Sequence, residues 1–315
     1  MSNILVTGGA GFIASSMAAR LAEDPANTVV IADNFVTGKP ENIPISSHGN
    51  IHFVKCDVNN YRDISEVFFS WRFDMVFHYA ALVGVQRTLN NPVKVLDDID
   101  GIRNILNLCK NGRVKRVLYS SSSEVYGEPF EIPQNEHTTP LNSRLPYAIV
   151  KNAGEAWLKA YEKEYGLSYS IFRFFNTYGP HQSDDFVISK FIKAALANED
   201  ITIYGDGMQT RTFCYIDDNV EACYRIAHSD DFRNDVVNIG SDHELTILEL
   251  AQRIIRLSGS QSQIVHLPAL KEGDMSRRKP DISLMRSILK DDLTELDQGL
   301  LRVIDAFNPI TNVRN

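Results

Sequence analysis

Tyr147 and Lys151 stand four residues apart in a stretch, Pro146 to Glu164, whose pattern predicts a helix. That spacing puts both side chains on one face. A free tyrosine has a pKa of about 10 and is a poor base at neutral pH. An ammonium beside it, together with a positively charged nicotinamide ring, favours the phenolate. Lowering the pKa by about three units takes roughly 4 kcal/mol of differential interaction. Such a phenolate could remove a hydroxyl proton as hydride leaves the same carbon. About 25 residues earlier the run Ser120, Ser121, Ser122, Ser123 and Glu124 closes a predicted strand and offers hydroxyls and a carboxylate. Alone, a Tyr and a Lys at this spacing would be an ordinary surface pair; the serine strand is what makes them a candidate site.

A second group of residues suits the cofactor that hydride chemistry needs. Thr7, Gly8, Gly9, Ala10, Gly11, Phe12, Ile13 and Ala14 follow the first apolar run and open the first helical one. Glycines here allow a tight turn and close approach of backbone to a pyrophosphate, and a helix N-terminus supplies free N–H groups. Gly8, Gly11, Phe12 and Ile13 are therefore cofactor candidates. Asp33 ends the second strand, where an acid accepts hydrogen bonds from ribose hydroxyls and repels a 2′-phosphate; this points to NAD over NADP. Asn34 follows it. Asp57 and Val58, just past the third strand, are expected near the adenine, and Ala80 follows the fourth.

The elements that must position these residues are legible as periodicity. Short apolar runs at Ile4 to Val6, Thr28 to Ala32, Ile51 to Lys55, Met75 to His78, Val114 to Tyr119 and Ser170 to Phe174 read as strands. Helical patterns separate them at Gly11 to Ala22, Tyr61 to Ser70, Pro92 to Lys110 and Pro146 to Glu164. Strand and helix alternating in this way predict an α/β fold, a doubly wound parallel sheet with helices on both faces. In such a sheet the C-terminal ends of the strands face the ligand crevice. After about residue 176 turn signals such as Tyr204, Gly205, Asp206 and Gly207 appear, with helices expected at Thr246 to Leu257 and Leu293 to Phe307. The expected division is a dinucleotide-binding domain over 1–175, with 213–240 returning to it, and a smaller C-terminal lobe from 176–212 and 241–315.

Composition excludes other classes. The chain has 315 residues, 43% hydrophobic and 23% charged, which is ordinary for a globular protein. Its net charge of −8 makes it a poor bulk binder of nucleic acid. No run approaches the roughly 18 apolar residues of a membrane helix, and the N-terminus has no basic, apolar leader pattern. Cys56, Cys109, Cys214 and Cys223 show no metal-like pairing, and none of the eight histidines has ligand spacing with cysteine or carboxylates. We expect reduced buried thiols, no metal and a cytoplasmic protein. His78 is expected to be a packed residue at a strand end.

With the glycine turn, the serine strand and the Tyr147/Lys151 pair on one chain, the sequence resembles the extended short-chain dehydrogenase/reductase superfamily, a Rossmann fold, in its nucleotide-sugar epimerase, dehydratase and decarboxylase branch. The likeness spans essentially the whole chain. Phe175, Asn176, Thr177, Tyr178, Gly179 and Pro180 are similar to a nucleotide-sugar segment of that branch, as is the stretch from Tyr204 to Phe213. The resemblance implies that Ser122 hydrogen-bonds the sugar hydroxyl, that Tyr147 is the base and that Lys151 is its partner and holds the nicotinamide ribose. It implies that Asn176 and Arg211 bind the diphosphate side, that Tyr204 packs near the nucleotide base, and that Arg278 approaches the diphosphate or a sugar carboxylate. It also implies a nucleoside-diphosphate sugar substrate, with UDP favoured, and a homodimer built on the two long helices.

Within that branch the shared chemistry is oxidation at sugar C4 by bound NAD; the reactions then diverge. Dehydratases usually carry Asp-Glu where this chain has Ser123 and Glu124, which removes a candidate general acid. UDP-glucuronate decarboxylases usually carry Ser-Glu there and a late Arg-Lys-Pro segment, matched by Arg278, Lys279 and Pro280. The stretch Asn34 to Gly38 also resembles their early loop. The stretch His78 to Val85 and Pro146, Tyr147 and Ala148 resemble epimerases, and His181 stands where decarboxylases usually have Arg. The balance leans to a 4-epimerase, with a UDP-glucuronate decarboxylase, a 4,6-dehydratase and a non-catalytic dinucleotide sensor as alternatives. Glu124 is a base at C5, a ligand for a sugar hydroxyl, or a charge on the crevice wall.

Overall fold

The computed structural model describes residues 2–268 and 277–308. Parts of the expected C-terminal lobe, 269–276 and 309–315, therefore lie outside the described residues. Strands β1 (Ser2–Thr7), β2 (Asn27–Asp33), β3 (Ile51–Lys55), β4 (Met75–His78), β5 (Arg116–Ser122) and β6 (Tyr169–Phe174) follow the apolar runs closely. Between them run helices α1 (Phe12–Ala22), α2 (Tyr61–Ser70), α3 (Val85–Asn90), α4 (Pro92–Gly112) and α5 (Pro146–Tyr165). A seventh strand, Asp235–Ile239, lies beside β6. The sheet order is Asp235–Ile239, β6, β5, β4, β1, β2, β3, and every neighbouring pair in it is parallel. The order reverses at β1, so the crevice of a doubly wound sheet opens between β1 and β4.

A parallel sheet must be covered on both faces, and two apolar clusters do this. On one face α2, α4 and α5 pack over Leu5, Val30, Val76, Val117 and Ile171. On the other, α1 and α7 (Ile216–Ala227) pack over Ile4, Val6, Val29, Phe77 and Phe172. The second cluster continues without a break into the C-terminal part, through Phe191, Ile203, Leu250 and Val303. There α6 (Val187–Leu196) and α8 (Ile247–Ser258) pack together. Ile201–Tyr204 pairs parallel with Ile264–Leu267, and Thr210–Thr212 pairs antiparallel with Glu244–Thr246.

Local chemistry explains the element ends. Gly11 is the N-cap of α1. Pro92 and Pro146 open α4 and α5, where a missing N–H removes no helical bond. α5 stops at Gly166, which takes the left-handed conformation with φ of 70°. α8 begins with a capping box: the Thr246 hydroxyl accepts from the Glu249 N–H, and the Glu249 carboxylate accepts from the Thr246 N–H. The last helix, Leu296–Phe307, starts three residues later than the periodicity suggests.

Candidate active site

A crevice of about 960 Å³ opens at the C-terminal ends of the strands. Every site residue expected from the sequence lines it: Gly8, Gly11, Phe12, Ile13, Asp33, Asn34, Asp57, Val58 and Ala80 at one end, Asn176, Tyr204, Arg211 and Arg278 at the other, with Ser122, Ser123, Glu124, Tyr147 and Lys151 between. Residues 270 positions apart in sequence, Gly8 and Arg278, share one cavity because parallel strands all end on the same side.

The glycine turn fits a dinucleotide. Gly8 has φ of +70°, and a Cβ there would stand 2.8 Å from the Ala80 backbone. A Cβ on Gly9 would stand 2.5 Å from Ile31. Backbone alone can therefore pass here. No side chain caps α1, and its first turn carries no acid, so the amides of its N-terminus keep their positive end for an anion. The buried Asp33 carboxylate does more than the sequence suggests. It accepts from the N–H of Ala10 at 3.0 Å and from that of Phe35 at 2.7 Å, pinning the glycine turn to the loop after β2. Each carboxylate oxygen has a second lone pair for a ribose hydroxyl.

Lys151 is almost wholly buried. Its Nζ donates to the Ser120 carbonyl at 2.8 Å and lies 5.7 Å from the centre of the Tyr147 ring. Removal from water pushes its pKa down to about 8, and the Asp98 carboxylate opposes that shift. Tyr147 hydrogen-bonds Ser122. Its own shift in the protein alone runs opposite to the acidification expected with a nicotinamide ring beside it. In the protein alone burial is the larger effect and Glu124 adds repulsion, so the phenol is pushed up, and the Ser122 hydrogen bond only partly offsets this. The nearby ammonium does not by itself make the phenol a base. His78 is packed, as expected: its Nδ1 is 2.8 Å from Thr7 Oγ1, its ring stacks near Tyr119, and burial pulls its pKa down to about 3, which keeps it neutral.

At the other end Asn176 has φ of +29°, and its Nδ2 donates to the Thr212 carbonyl at 2.9 Å. Arg211 Nη1 donates to the Thr210 carbonyl at 2.7 Å. Tyr204 stands 5.7 Å from Lys190 Nζ, measured to the ring centre. Arg278 is 6% exposed. Its Nη1 donates to Glu124 Oε1 at 2.8 Å and to Ser123 Oγ at 3.2 Å. The short turn Ser123–Tyr126 that follows β5 aims both groups at Arg278.

Sequence reasoning passed over Asp98. It lines the crevice from α4, its Oδ2 accepts from the Leu82 N–H at 2.7 Å, and its Oδ1 accepts from Asn59 Nδ2 at 3.2 Å. Burial raises its pKa. The signal was present: Asp98 lies on the helix face of Val95 and Ile102, both buried. Arg173 and Glu155 were also missed. They form a buried ion pair, Nη2 to Oε2 at 2.7 Å. An arginine inside the apolar strand β6 was the visible clue. Among the described residues no helix is long and apolar enough to cross a membrane, no cluster of His, Cys, Asp and Glu could hold a metal ion, and the four cysteines are free and buried.

The comparisons agree with this geometry. The chain is 37% identical to a UDP-N-acetyl-alpha-D-glucosaminuronate decarboxylase of Bacillus cytotoxicus, over 98% of each chain. Its fold matches a UDP-glucose 4-epimerase of Thermotoga maritima solved with UDP-glucose, with a TM-score of 0.90 and 30% identity over 97% of this chain and 98% of that one. It also matches a UDP-glucuronic acid 4-epimerase of Bacillus cereus in complex with UDP-glucuronic acid and NAD, with a TM-score of 0.87 and 29% identity over 96% and 98% of the two chains. A family model covers residues 4–240. The protein is an NAD-dependent enzyme and belongs to the NAD dependent epimerase/dehydratase family.

Proposed function

We propose that the substrate is a UDP-linked hexuronate and that the enzyme removes its C6 carboxylate as CO2 after oxidation at C4. One observation carries this reading: a buried arginine, Arg278, meets Glu124 and Ser123 in the crevice wall beyond Tyr147. A guanidinium held out of water matches a carboxylate better than it matches a neutral hydroxymethyl group. Glu124 Oε2 is buried and has no hydrogen-bond partner among the described residues, so a sugar hydroxyl complements it. The Bacillus decarboxylase and the Bacillus cereus epimerase, both named for uronic acid sugars, support a hexuronate.

The glycine turn from Gly8 to Ile13, with Asp33, Asn34, Asp57, Val58, Ala80 and Lys151, would hold NAD, which supplies a hydride acceptor for C4. Tyr147 takes the O4 proton, and Ser122 orients both oxygens. Lys151 favours the phenolate by charge. With C4 a ketone, the C6 carboxylate is β to it, and the C5–C6 bond can break with its electron pair passing toward the C4 oxygen. Arg278 orients the carboxylate, Glu124 relays a proton from water to C5, and the hydride would return to C4 while Tyr147 gives its proton back to O4. Asn176, Tyr204 and Arg211 would bind the UDP part. A 4-epimerase would use Tyr147 and Lys151 in the same way but asks nothing of Glu124 and Arg278 at C6.

Purified protein with NAD and a panel of UDP-sugars, read by mass spectrometry and proton NMR, tests this. UDP-glucuronate or its N-acetylamino analogue should lose CO2. Unchanged mass with altered ring couplings would instead make the enzyme an epimerase, and loss of water a dehydratase.

A further inference from the structure

From the sugar end of the crevice the buried polar side chains form a closed circuit, of which the chemistry above uses only Arg278 and Glu124. Glu155 lies one helical turn past Lys151 on α5. Its Oε1 accepts from Ser121 Oγ at 2.6 Å and from Arg173 Nε at 2.9 Å. Arg173 Nη1 donates to the Tyr126 hydroxyl at 2.8 Å, and that hydroxyl donates to Asn238 Oδ1 at 2.7 Å. Asn238 Nδ2 donates to the carbonyls of Gln134 at 2.9 Å and Asp281 at 3.2 Å. Gln134 in turn clasps the segment that carries Arg278: its N–H donates to the Lys279 carbonyl, and its carbonyl accepts from the Asp281 N–H, both at 2.8 Å. Arg278 then closes the loop on Ser123 and Glu124.

Tyr126 holds the middle of this circuit and is fully buried. It also ends the short turn Ser123–Tyr126 that presents Glu124. The turn is thus held at its start by Arg278 and at its end by Arg173 and Asn238. In a dry interior each bond is stronger than in water, and deleting one member leaves its partners unsatisfied.

We propose that Tyr126 is a positioning residue for the sugar end of the crevice, its hydroxyl setting where Glu124 and Arg278 stand relative to Tyr147. The proposal rests on the function argued above only in naming the sugar as a hexuronate. Tyr126→Phe removes the hydroxyl and keeps the ring. We compare it with the unaltered full-length protein, NAD present, by calorimetric titration with UDP and with UDP-glucuronate and by steady-state kinetics. The variant should bind UDP within about twofold of normal and UDP-glucuronate about tenfold more weakly, because the two buried hydrogen bonds of the hydroxyl, to Arg173 and Asn238, are lost and the groups they place shift. Its kcat should fall while its NAD content stays the same. A variant that only melts earlier, with UDP-glucuronate affinity and kcat unchanged well below its melting temperature, overturns the proposal.

Should Tyr126→Phe fail to fold, Asn135→Ala removes an outlying tie, Asn135 Nδ2 to Asp281 Oδ2 at 3.1 Å, together with the local bonds that its Oδ1 accepts from the His137 and Thr138 N–H groups. It should weaken UDP-glucuronate by about two- to threefold and leave UDP unchanged; an unchanged UDP-glucuronate affinity overturns the proposal. Unaltered protein that binds UDP-glucuronate no better than UDP-glucose overturns the hexuronate reading instead. The Tyr126 comparison is then made on UDP-glucose, with the same expected and overturning results.

Discussion

A phenol works as a base at neutral pH only when its anion is held, and here the protein alone does the opposite to Tyr147. Burial and Glu124 push it up, and the cationic ring of an oxidised dinucleotide, where bound, would act with Lys151 in the opposite direction. Tyr147→Phe should therefore lower kcat about 10²- to 10⁴-fold and leave NAD binding intact; retained turnover would remove Tyr147 from the chemistry. Lys151 offers a second check that needs no substrate. Its pKa falls from the usual lysine range to about 8 on folding. Below about 8 both folded and unfolded chains are protonated, and the burial penalty is present in full. Between about 8 and 10.5 the unfolded chain binds the extra proton, so stability rises with pH; above that window the penalty is gone. The melting temperature of the unaltered protein minus that of Lys151→Met should climb across this window. A flat difference from pH 7 to 11 would refute the shift. That the glycine turn, the serine strand and the Tyr–Lys pair share a crevice was legible from type and spacing, because each is a local pattern; Asn176, Tyr204, Arg211 and Arg278 came only with the resemblance, and Asp98 was missed. The direction of the Tyr147 shift was not legible, because burial is a property of the whole fold.

At the scale of elements, the site depends on how closely α5 lies on β5. Gly154 permits that approach: a Cβ there would stand 2.3 Å from the Tyr119 hydroxyl. Tyr119 is itself buried, and its ring lies 5.2 Å from Lys151 Nζ. Gly154→Ala must push α5 away from β5 or drive Tyr119 out of place, and either movement displaces Tyr147 and Lys151 together. We expect a loss of about 1–3 kcal/mol in unfolding free energy, as for overpacked cores. We also expect kcat to fall tenfold or more, although the helix propensity of alanine exceeds that of glycine. Denaturant unfolding with kinetics on the same sample checks this, and a more stable, fully active variant would show that the contact is slack. The strands and long helices were readable to within a few residues, since amphipathic period and buried apolar runs decide them. The polar circuit through Glu155, Arg173, Tyr126 and Asn238 was not. Its members lie on α5, β6, the turn after β5 and the edge strand Asp235–Ile239, and only the sheet order brings them into contact.

For the molecule as a whole, α1, α7 and the C-terminal helices share one unbroken apolar cluster. The nucleotide end and the sugar end of the crevice are therefore parts of one folded body. The opposite side has a different character. α4 and α5 pack against each other over the sheet, and Val93, Leu96 and Ile149 on them stand exposed. Helix surfaces of this kind pair readily with their own copies about a two-fold axis, residue against matching residue. The homodimer implied by resemblance would use this face, and its interface would run along the back of the helix that carries Tyr147 and Lys151. Sedimentation at micromolar concentration should give a particle of twice 35.5 kDa, and Leu96→Glu, which sets like charges against each other across the axis, should shift it toward the monomer. Because Leu96 points away from the crevice-lining face occupied by Asp98, the variant should keep its affinity for NAD. A single 35.5 kDa species for the unaltered protein would refute the dimer, while a dimer indifferent to Leu96→Glu would place the interface elsewhere.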